Sequence, residues 1–274
     1  MAAGLKRMEN LRQSDAGIIC QYGFPDELSD ELSEKIFQSF LSSEEQKRNQ
    51  RYRHMRDRRL NLMARMMIRT LLSSRVPEVR PVEWIFDRDI YGKPFISGPG
   101  DEVGKRFHFN ISHTDGLVAV ALSEQGPVGV DVENAARVTD YQGLARRFFA
   151  PVEADLMKDC DESSRAERFF RIWTLKEAYV KAIGKGLAHG LDSFWFGSEL
   201  MTEDRLVSRP KLRVIKPESG ESAVENDWSC WSWYLGDDPR WIVSVVAGNS
   251  AELGRDEICE MVPVDLKSWM VWTP

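Results

Sequence analysis

The sequence lacks the features that mark metal-stapled, secreted and membrane-spanning proteins. Its four cysteines, Cys20, Cys160, Cys230 and Cys259, form no C-x-x-C pair, and its four histidines are scattered. We therefore expect neither a zinc site nor a disulfide framework, and reduced thiols favour the cytoplasm. No run approaches the ~20 apolar residues of a membrane span. The N-terminus also lacks the apolar segment of a secretory signal.

No excess of positive charge marks the chain as a whole, because its formal net charge is −6. Overall charge therefore does not favour a nucleic-acid partner. The stretch KRNQRYRHMRDRR, residues 47–59, departs from this balance with seven basic residues and one acidic residue. Such a run is usually a solvated helix face, but it could also serve a highly anionic ligand, an acidic partner protein or RNA.

What the sequence does contain is enough apolar material for a core. Apolar residues make up 42% of the 274 residues and charged residues 29%, which is typical of a soluble globular protein. Residues 26–74 have a helical pattern, within which Ser42 or Ser43 can cap a helix. The apolar residues expected to face the core of this region are Leu60, Met63, Met66, Met67 and Leu71.

Strand and helix patterns alternate along the rest of the chain. The segments with strand patterns are VEWIFD (82–87), FHFNISHTDGLVAVALS (107–123) and GPVGVDVEN (126–134). Helices are expected at about 140–159 and 165–184, followed by further strands.

Both halves of the sequence thus mix helix with antiparallel-looking strands. We predict an α+β fold of two similar subdomains, residues 1–124 and 125–274. Near the end, WSCWSWYLGDDPRWIVSVVAG (228–248) has the pattern of a hairpin. The polar segment KPESGESAVEND (216–227) is expected to be an exposed loop.

Two acids stand two residues apart on a predicted strand. Asp131 and Glu133 share a strand face with Gly129, because alternate residues point to the same side. Adjacent carboxylates repel each other, and they are tolerated in solvent or around a cation such as Mg²⁺, which prefers oxygen ligands. Taken alone, this short pattern favours the solvated strand face.

The segment RIWTLKEAYVKAIGKGL, residues 171–187, places charges in an unusually apolar helix. On a helical wheel Glu177 and Lys181 share the one narrow polar sector, whereas Lys176 falls inside the apolar arc. One interpretation is an ordinary Glu–Lys pair four residues apart. The other is that Glu177 completes a three-carboxylate Mg²⁺ site with Asp131 and Glu133 while Lys181 meets a phosphate on the same metal. Gly184 and Gly186 would end the helix.

Three further residues in the first half are candidates for phosphate or ribose contacts. Lys93 lies in a Gly-Lys-Pro turn, and Ser112 and His113 lie at the end of a strand. A Ser–His nucleophile pair is a poor interpretation, because neighbouring strand residues point to opposite faces. Ordinary turn chemistry is the alternative to ligand binding.

Five motifs occur in an order and spacing that resemble those of the surfactin-synthetase-type 4′-phosphopantetheinyl transferases. They are GKP (92–94), FNISHT (109–114), GVDVE (129–133), FFAPVE (148–153) and WTLKEAYVKAIGKGL (173–187). The resemblance covers roughly residues 40–190. It implies two similar α+β halves related by a pseudo-twofold axis, with coenzyme A between them, and a monomeric chain.

The resemblance also implies an activity. These enzymes transfer the phosphopantetheine arm of coenzyme A to a serine of an apo acyl, peptidyl or aryl carrier protein, giving holo-carrier protein and 3′,5′-ADP. Mg²⁺, or Mn²⁺ in its place, is expected to be held by Asp131, Glu133 and Glu177. Lys181 corresponds to a lysine at the pyrophosphate, and Glu153 to a position proposed to help deprotonate the carrier serine.

The remaining residues implied by the resemblance contact coenzyme A. Lys93, Ser112 and His113 match residues at the nucleotide end, with His113 near the 3′-phosphate. Lys176 belongs to the motif and is expected to reach coenzyme A from another side or to brace the acids. In the basic run the candidates for phosphate contacts are Lys47, Arg48 and Arg51, whereas Glu45 overlays a lysine position of the family.

Two hypotheses compete with a transferase. One is a non-catalytic binder of anions or nucleic acid built on residues 47–59, against which the three acids argue, because a pure phosphate binder needs no carboxylates. The other is a degenerate transferase kept as a scaffold, against which the complete motif set of the second half argues.

Overall fold

The computed structural model describes residues 17–158, 161–184, 190–197, 211–215, 222–224, 227–236, 241–248 and 259–266. The chain divides into two compact units, the first made of residues 1–124 and 258–274 and the second of residues 125–257. The predicted second subdomain extended to residue 274, but residues 258–274 belong to the first unit. The reason is that the strand Cys259–Pro263 pairs with the strand Ile18–Gly23. The mixed α+β class is confirmed, since each unit combines helices with sheet. The pseudo-twofold relation stays a prediction.

Within the described ranges the chain forms twelve strands and seven α-helices. The strands are β1 (Ile18–Gly23), β2 (Ile85–Arg88), β3 (Pro94–Gly98), β4 (His108–Thr114), β5 (Leu117–Ser123), β6 (Val128–Asn134), β7 (Phe194–Phe196), β8 (Leu212–Ile215), β9 (Ser222–Val224), β10 (Trp228–Leu235), β11 (Trp241–Gly248) and β12 (Cys259–Pro263). The helices are α1 (Asp30–Phe40), α2 (Ser43–Gln50), α3 (Met55–Arg75), α4 (Asp101–Lys105), α5 (Tyr141–Phe148), α6 (Pro151–Leu156) and α7 (Glu162–Ile183). None of the helices described is long and apolar enough to cross a membrane.

The first unit is built on a four-stranded sheet with the order β12-β1-β5-β4. β12 runs parallel to β1, and the other pairs are antiparallel. All seven residues of β5 are buried, which fits a strand with neighbours on both edges and the apolar sequence LVAVALS. Helix α3 packs against β5, and the five apolar residues predicted for its buried face are all buried.

The pattern of the basic run suggested a single helix, but the structure divides the run between two helices. It spans the end of α2, a break after Gln50, and the start of α3 at Met55. Arg58 accounts for the break, because its guanidinium donates to the backbone carbonyls of Tyr52 and Gln50 and so satisfies acceptors that helix continuation would have used.

A two-stranded hairpin, β2 with β3, presents the Gly-Lys-Pro turn. The strand predicted at 82–87 begins later, at Ile85, because Pro81–Glu83 forms a 3-10 turn. At the tip, the Asp89 carboxylate accepts hydrogen bonds from the backbone N–H groups of Tyr91 and Lys93, each at 2.9 Å. This Asx-type turn fixes where Lys93 leaves the hairpin.

The second unit contains two three-stranded sheets, with the orders β10-β11-β6 and β7-β8-β9. The predicted hairpin is confirmed by the antiparallel pairing of β10 with β11. The loop predicted at 216–227 is interrupted by β9, which pairs with β8, whereas residues 216–221 and 225–226 lie outside the described ranges. Gly184 ends α7 in the left-handed conformation, as predicted, and Gly186 lies outside the described residues.

Gly129 allows α7 to lie directly on the sheet. A Cβ atom at this position would stand 1.9 Å from the Ala178 carbonyl oxygen and 2.6 Å from the Ala182 nitrogen. Only glycine therefore permits the two backbones to approach so closely. Because Asp131 and Glu133 follow on the same strand face, this approach carries Glu177 and Lys181 of α7 over the acids of β6.

We expect Gly129→Ala to lower the free energy of unfolding by about 3 kcal/mol, because the added methyl group would force α7 away from β6. Urea unfolding followed by circular dichroism measures this change. Val138→Ala, at a side chain that is 89% exposed, is the control and should change the free energy by less than about 0.5 kcal/mol. Equal stability of Gly129→Ala and the wild type would contradict the close approach.

Candidate functional site

The three predicted carboxylates lie on α7 and β6, two elements that pack against each other. Asp131 is buried, and Glu133 and Glu177 are half-buried. The pKa of Glu177 is raised, first by burial and then by the negative charges of Asp131 and Glu133, while Lys181 opposes the shift. The charges of both strand acids thus act on Glu177, and the three-carboxylate site itself stays a prediction.

Two cations of the chain already neutralise the strand acids. Lys181 Nζ lies 2.5 Å from Asp131 Oδ1 and 3.4 Å from the Val130 carbonyl oxygen. Arg137 Nη1 lies 3.5 Å from Glu133 Oε2. The predicted partner of Lys181 was a phosphate, and in the structure its partner is the carboxylate of Asp131.

The donor set suits Mg²⁺ in kind, because carboxylate oxygens are its preferred protein ligands. In the part of the chain that the structure describes, no three His, Cys, Asp or Glu side chains are grouped as a metal-binding cluster. One of the two carboxylate oxygens of Asp131, Oδ1, is in contact with the Lys181 ammonium. The assignment of Asp131, Glu133 and Glu177 to a metal stays a prediction.

Lys176 and Glu153 form a separate, fully buried ion pair. Lys176 Nζ lies 2.6 Å from Glu153 Oε2 and donates to the carbonyl oxygens of Leu191 and Phe194 at 2.7 and 2.6 Å. Glu153 also accepts hydrogen bonds from the backbone N–H groups of Ala150 and Phe196. Both side chains are 0% exposed.

This arrangement corrects two expectations. Lys176 was expected to contact coenzyme A or brace the acids, but all three of its N–H donors are directed to protein acceptors in the interior. Glu153 was expected to help deprotonate a carrier serine, but no part of it is exposed. Burial raises the pKa of Glu153 and lowers the pKa of Lys176, and their mutual contact opposes both shifts.

In the first unit, arginines line two adjoining cavities. One cavity, of about 290 Å³, is lined by Arg48, Arg65, Arg88 and His113 among others. The second, of about 250 Å³, shares the three arginines and adds Arg69. The structure therefore brings together two predicted residues, Arg48 and His113, that are far apart in the sequence.

The other predicted contacts of the first unit are placed differently. Lys47 and Arg51 are exposed and line neither of these two cavities. Ser112 is buried next to His113 on β4, and Lys93 is half-buried at the hairpin tip. Burial lowers the pKa of Lys93, and the charge of Asp89 opposes this shift.

Glu45 stands where the family resemblance has a lysine, and the structure gives this acid a structural role. Its Oε2 accepts from the Ser42 N–H in the capping box of α2 and lies 2.6 Å from Arg69 Nη2. Arg69 is only 1% exposed and also donates to the carbonyl oxygens of Pro81 and Trp84. Glu45 thus holds a buried guanidinium instead of a phosphate.

Sequence reasoning missed Arg65 and Arg88 as parts of the cavity wall. Arg65 and Arg69 interrupt the apolar pattern of α3, which was the available signal for a polar cavity beside the core. Arg88 gave no such signal, because its position depends on the β2–β3 hairpin folding against α3.

Comparisons with known proteins cover both units. The model of the 4′-phosphopantetheinyl transferase superfamily matches residues 127–245, and that of the N-terminal part of 4′-phosphopantetheinyl transferase matches residues 30–125. The chain is 33% identical to the 4′-phosphopantetheinyl transferase Sfp of Bacillus subtilis (strain 168), over 61% of this chain and 70% of that protein. It is 35% identical to the 4′-phosphopantetheinyl transferase gsp of Aneurinibacillus migulanus, over 60% of this chain and 66% of that protein.

We expect Glu45→Gln to lower the free energy of unfolding by about 3 kcal/mol, because the buried Arg69 guanidinium would lose its counter-charge. The matched control is Glu44→Gln, at the exposed neighbouring position of α2, which should have little effect. Thermal and urea unfolding of both variants measure the difference. If Glu45→Gln unfolds like Glu44→Gln, the ion pair is not the reason for the acid at position 45.

Proposed function

The chain belongs to the 4′-phosphopantetheinyl transferase superfamily, and on that premise we propose that it transfers the phosphopantetheine arm of coenzyme A to a serine of an apo carrier protein. The products are holo-carrier protein and 3′,5′-ADP. The observation that carries the proposal is the placement of Glu177 and Lys181 over Asp131 and Glu133, within the matched residues 127–245.

The proposal assigns Mg²⁺, or Mn²⁺ in its place, to Asp131, Glu133 and Glu177. When bound, such a cation supplies charge neutralisation on a pyrophosphate. Glu177 supports this assignment, because burial and two neighbouring acids destabilise its charged form until a cation compensates them.

Lys181 has two successive roles in this proposal. In the chain as described, its ammonium neutralises Asp131. A cation held by Asp131, Glu133 and Glu177 would supply the counter-charge of Asp131, and the Lys181 ammonium on its flexible four-carbon stem could then contact a phosphate oxygen. The negative charge that develops as 3′,5′-ADP leaves is then stabilised by Lys181.

The nucleotide end of coenzyme A is assigned to the arginine-lined cavities of the first unit. Arg48, Arg65 and Arg88 present guanidinium groups, whose geometry matches phosphate oxygens. His113 and Arg48 line the same cavity and are assigned to the 3′-phosphate. Lys93 and Ser112 line neither cavity, and their assignment to the nucleotide end rests on the resemblance alone. Lys47 and Arg51, exposed on the basic run, contribute long-range attraction for an anionic ligand.

The nucleophile comes from the partner, so the reaction needs no active serine or cysteine in this chain. Phosphoryl-type transfer depends mainly on in-line positioning and charge stabilisation. The carrier serine attacks the β-phosphorus of coenzyme A, the bond from this phosphorus to the bridging oxygen breaks, and the serine proton leaves to solvent or a base. We further propose a cytoplasmic monomer acting on acyl, peptidyl or aryl carriers, with no nucleic-acid or membrane partner, which agrees with the net charge of −6.

We expect Glu177→Gln to lower kcat/KM about 10³-fold, because a neutral amide weakens the proposed metal site by several kcal/mol. The assay incubates apo acyl and peptidyl carrier proteins with coenzyme A and Mg²⁺, and mass spectrometry measures the gain of one phosphopantetheine. Asp155→Asn, at an exposed position of α6, is the control and should retain full activity. No transfer by the wild type to any carrier would refute the function, and full activity of Glu177→Gln would refute the metal assignment.

We expect Arg48→Met to raise KM for coenzyme A about 10- to 100-fold, because a charged hydrogen bond to phosphate is lost. With dephospho-coenzyme A, which lacks the 3′-phosphate, the same variant should differ from the wild type by less than about three-fold. Arg51→Met is the matched comparison, because Arg51 lies three residues on and lines neither cavity. An equal effect on both coenzymes would place Arg48 away from the 3′-phosphate.

A further inference from the structure

We infer that the buried pair Glu153–Lys176 is a positioning device that fixes the rotation of α7 and so directs Glu177 towards the acids of β6. The inference rests on the proposed function and goes beyond it, since it gives Glu153 a role that acts through Glu177 instead of on the carrier serine. It starts from the two charged side chains that the proposed mechanism leaves unused.

Lys176 ties α7 to the segment that leads into β7. Its ammonium has three N–H donors, and three acceptors surround it: Glu153 Oε2 at 2.6 Å and the carbonyl oxygens of Leu191 and Phe194 at 2.7 and 2.6 Å. The Phe194 ring centroid lies 4.4 Å from the same nitrogen. The ammonium is thus held by hydrogen bonds and a cation–π contact from several directions.

Glu153 ties the same point to α6 and to β7. Its Oε1 accepts from the Phe196 N–H at 3.0 Å, and its Oε2 accepts from the Ala150 N–H at 3.3 Å. Three segments of the second unit therefore meet at one ion pair: the start of α6, the residues 191–196, and α7. None of them can shift alone without separating a buried charge from its partner.

The position of Lys176 in the sequence links this junction to the acids. Lys176 precedes Glu177 by one residue, so their side chains leave the helix about 100° apart. With Lys176 held at the junction, the rotation of α7 about its axis is fixed. Glu177 is then directed to the side of α7 on which Lys181, one turn further along, lies 2.5 Å from Asp131 Oδ1.

Stability alone does not explain a pair of this kind. Apolar residues of similar volume often stabilise a protein as well as a buried ion pair, or better. What apolar contacts lack is direction: five hydrogen-bonded contacts set the orientation of two side chains and three segments at once. The metal site proposed here needs such precision, because small displacements of a ligand lower the rate strongly.

The experiment compares Glu153→Gln, Glu153→Ala and Lys176→Met with the wild type. The glutamine amide keeps the size of the side chain and one acceptor oxygen, which can accept from Lys176 or from Phe196 but not from both. Part of the positioning role is therefore retained, whereas the role of a base is lost. The surface pair of α6 supplies the control, Asp155→Asn with Lys158→Met, since both of its side chains are more than half exposed. Circular dichroism checks the fold of every variant.

Two readouts separate positioning from base catalysis. We expect Glu153→Gln to keep kcat within about ten-fold of the wild type, and Glu153→Ala and Lys176→Met to lose about 10²-fold or more, with KM for the carrier within about three-fold. Electron paramagnetic resonance of Mn²⁺ with coenzyme A, without carrier, is expected to show at least about ten-fold weaker Mn²⁺ binding in the last two variants only. The control variant should match the wild type in both measurements.

Two results would overturn the inference. One is a Glu153→Gln variant as inactive as Glu153→Ala with unchanged Mn²⁺ affinity in both, which would identify a base. The other is wild-type Mn²⁺ affinity and kcat in all three variants. If Glu153→Ala and Lys176→Met do not fold, kcat of Glu153→Gln alone decides between the two roles: a value within about ten-fold of the wild type supports positioning, and a larger loss supports base catalysis. A wild type that binds Mn²⁺ but transfers nothing would refute the proposed function, and the Mn²⁺ comparison would still decide this inference.

Discussion

The contact between the backbones of α7 and β6 at Gly129 is the constraint on which the rest of the candidate site depends. A helix normally rests on a sheet through its side chains, but here the Ala178 carbonyl oxygen occupies the space of a missing Cβ. This closeness lets short carboxylates on a strand and a helix come within reach of one another. It also buries them, and Lys181 compensates part of the resulting repulsion.

Helix α7 therefore carries two charge clusters on different sides. Glu177 and Lys181 face the acids of β6, while Lys176 points into the core of the second unit and meets Glu153. The apolar character of the helix follows from this arrangement, because most of its circumference packs against sheet or helix. Lys176 and Lys181 each contact a carboxylate from another segment, and these contacts account for two lysines in a sequence that otherwise has the pattern of a core helix.

Local periodicity was sufficient to predict which candidate residues share a face of a single strand or helix. The shared face of Gly129, Asp131 and Glu133 and the shared sector of Glu177 and Lys181 follow from strand and helix geometry alone. The partner of Lys176 could not be predicted, because Glu153 reaches it only through the packing of α6. The role of Glu45 and the return of β12 to β1 likewise depend on contacts between distant segments.

We propose that the acids of β6 and α7 form a cation site, and that a cation bound there would release Lys181 from Asp131. A crystal structure with coenzyme A and Mn²⁺, with the metal located by its anomalous scattering, tests this claim most directly. We expect one anomalous peak among the carboxylates of Asp131, Glu133 and Glu177, with Lys181 turned from Asp131 to a phosphate oxygen. Bound coenzyme A with no peak at these acids, and Lys181 still paired with Asp131, would contradict it.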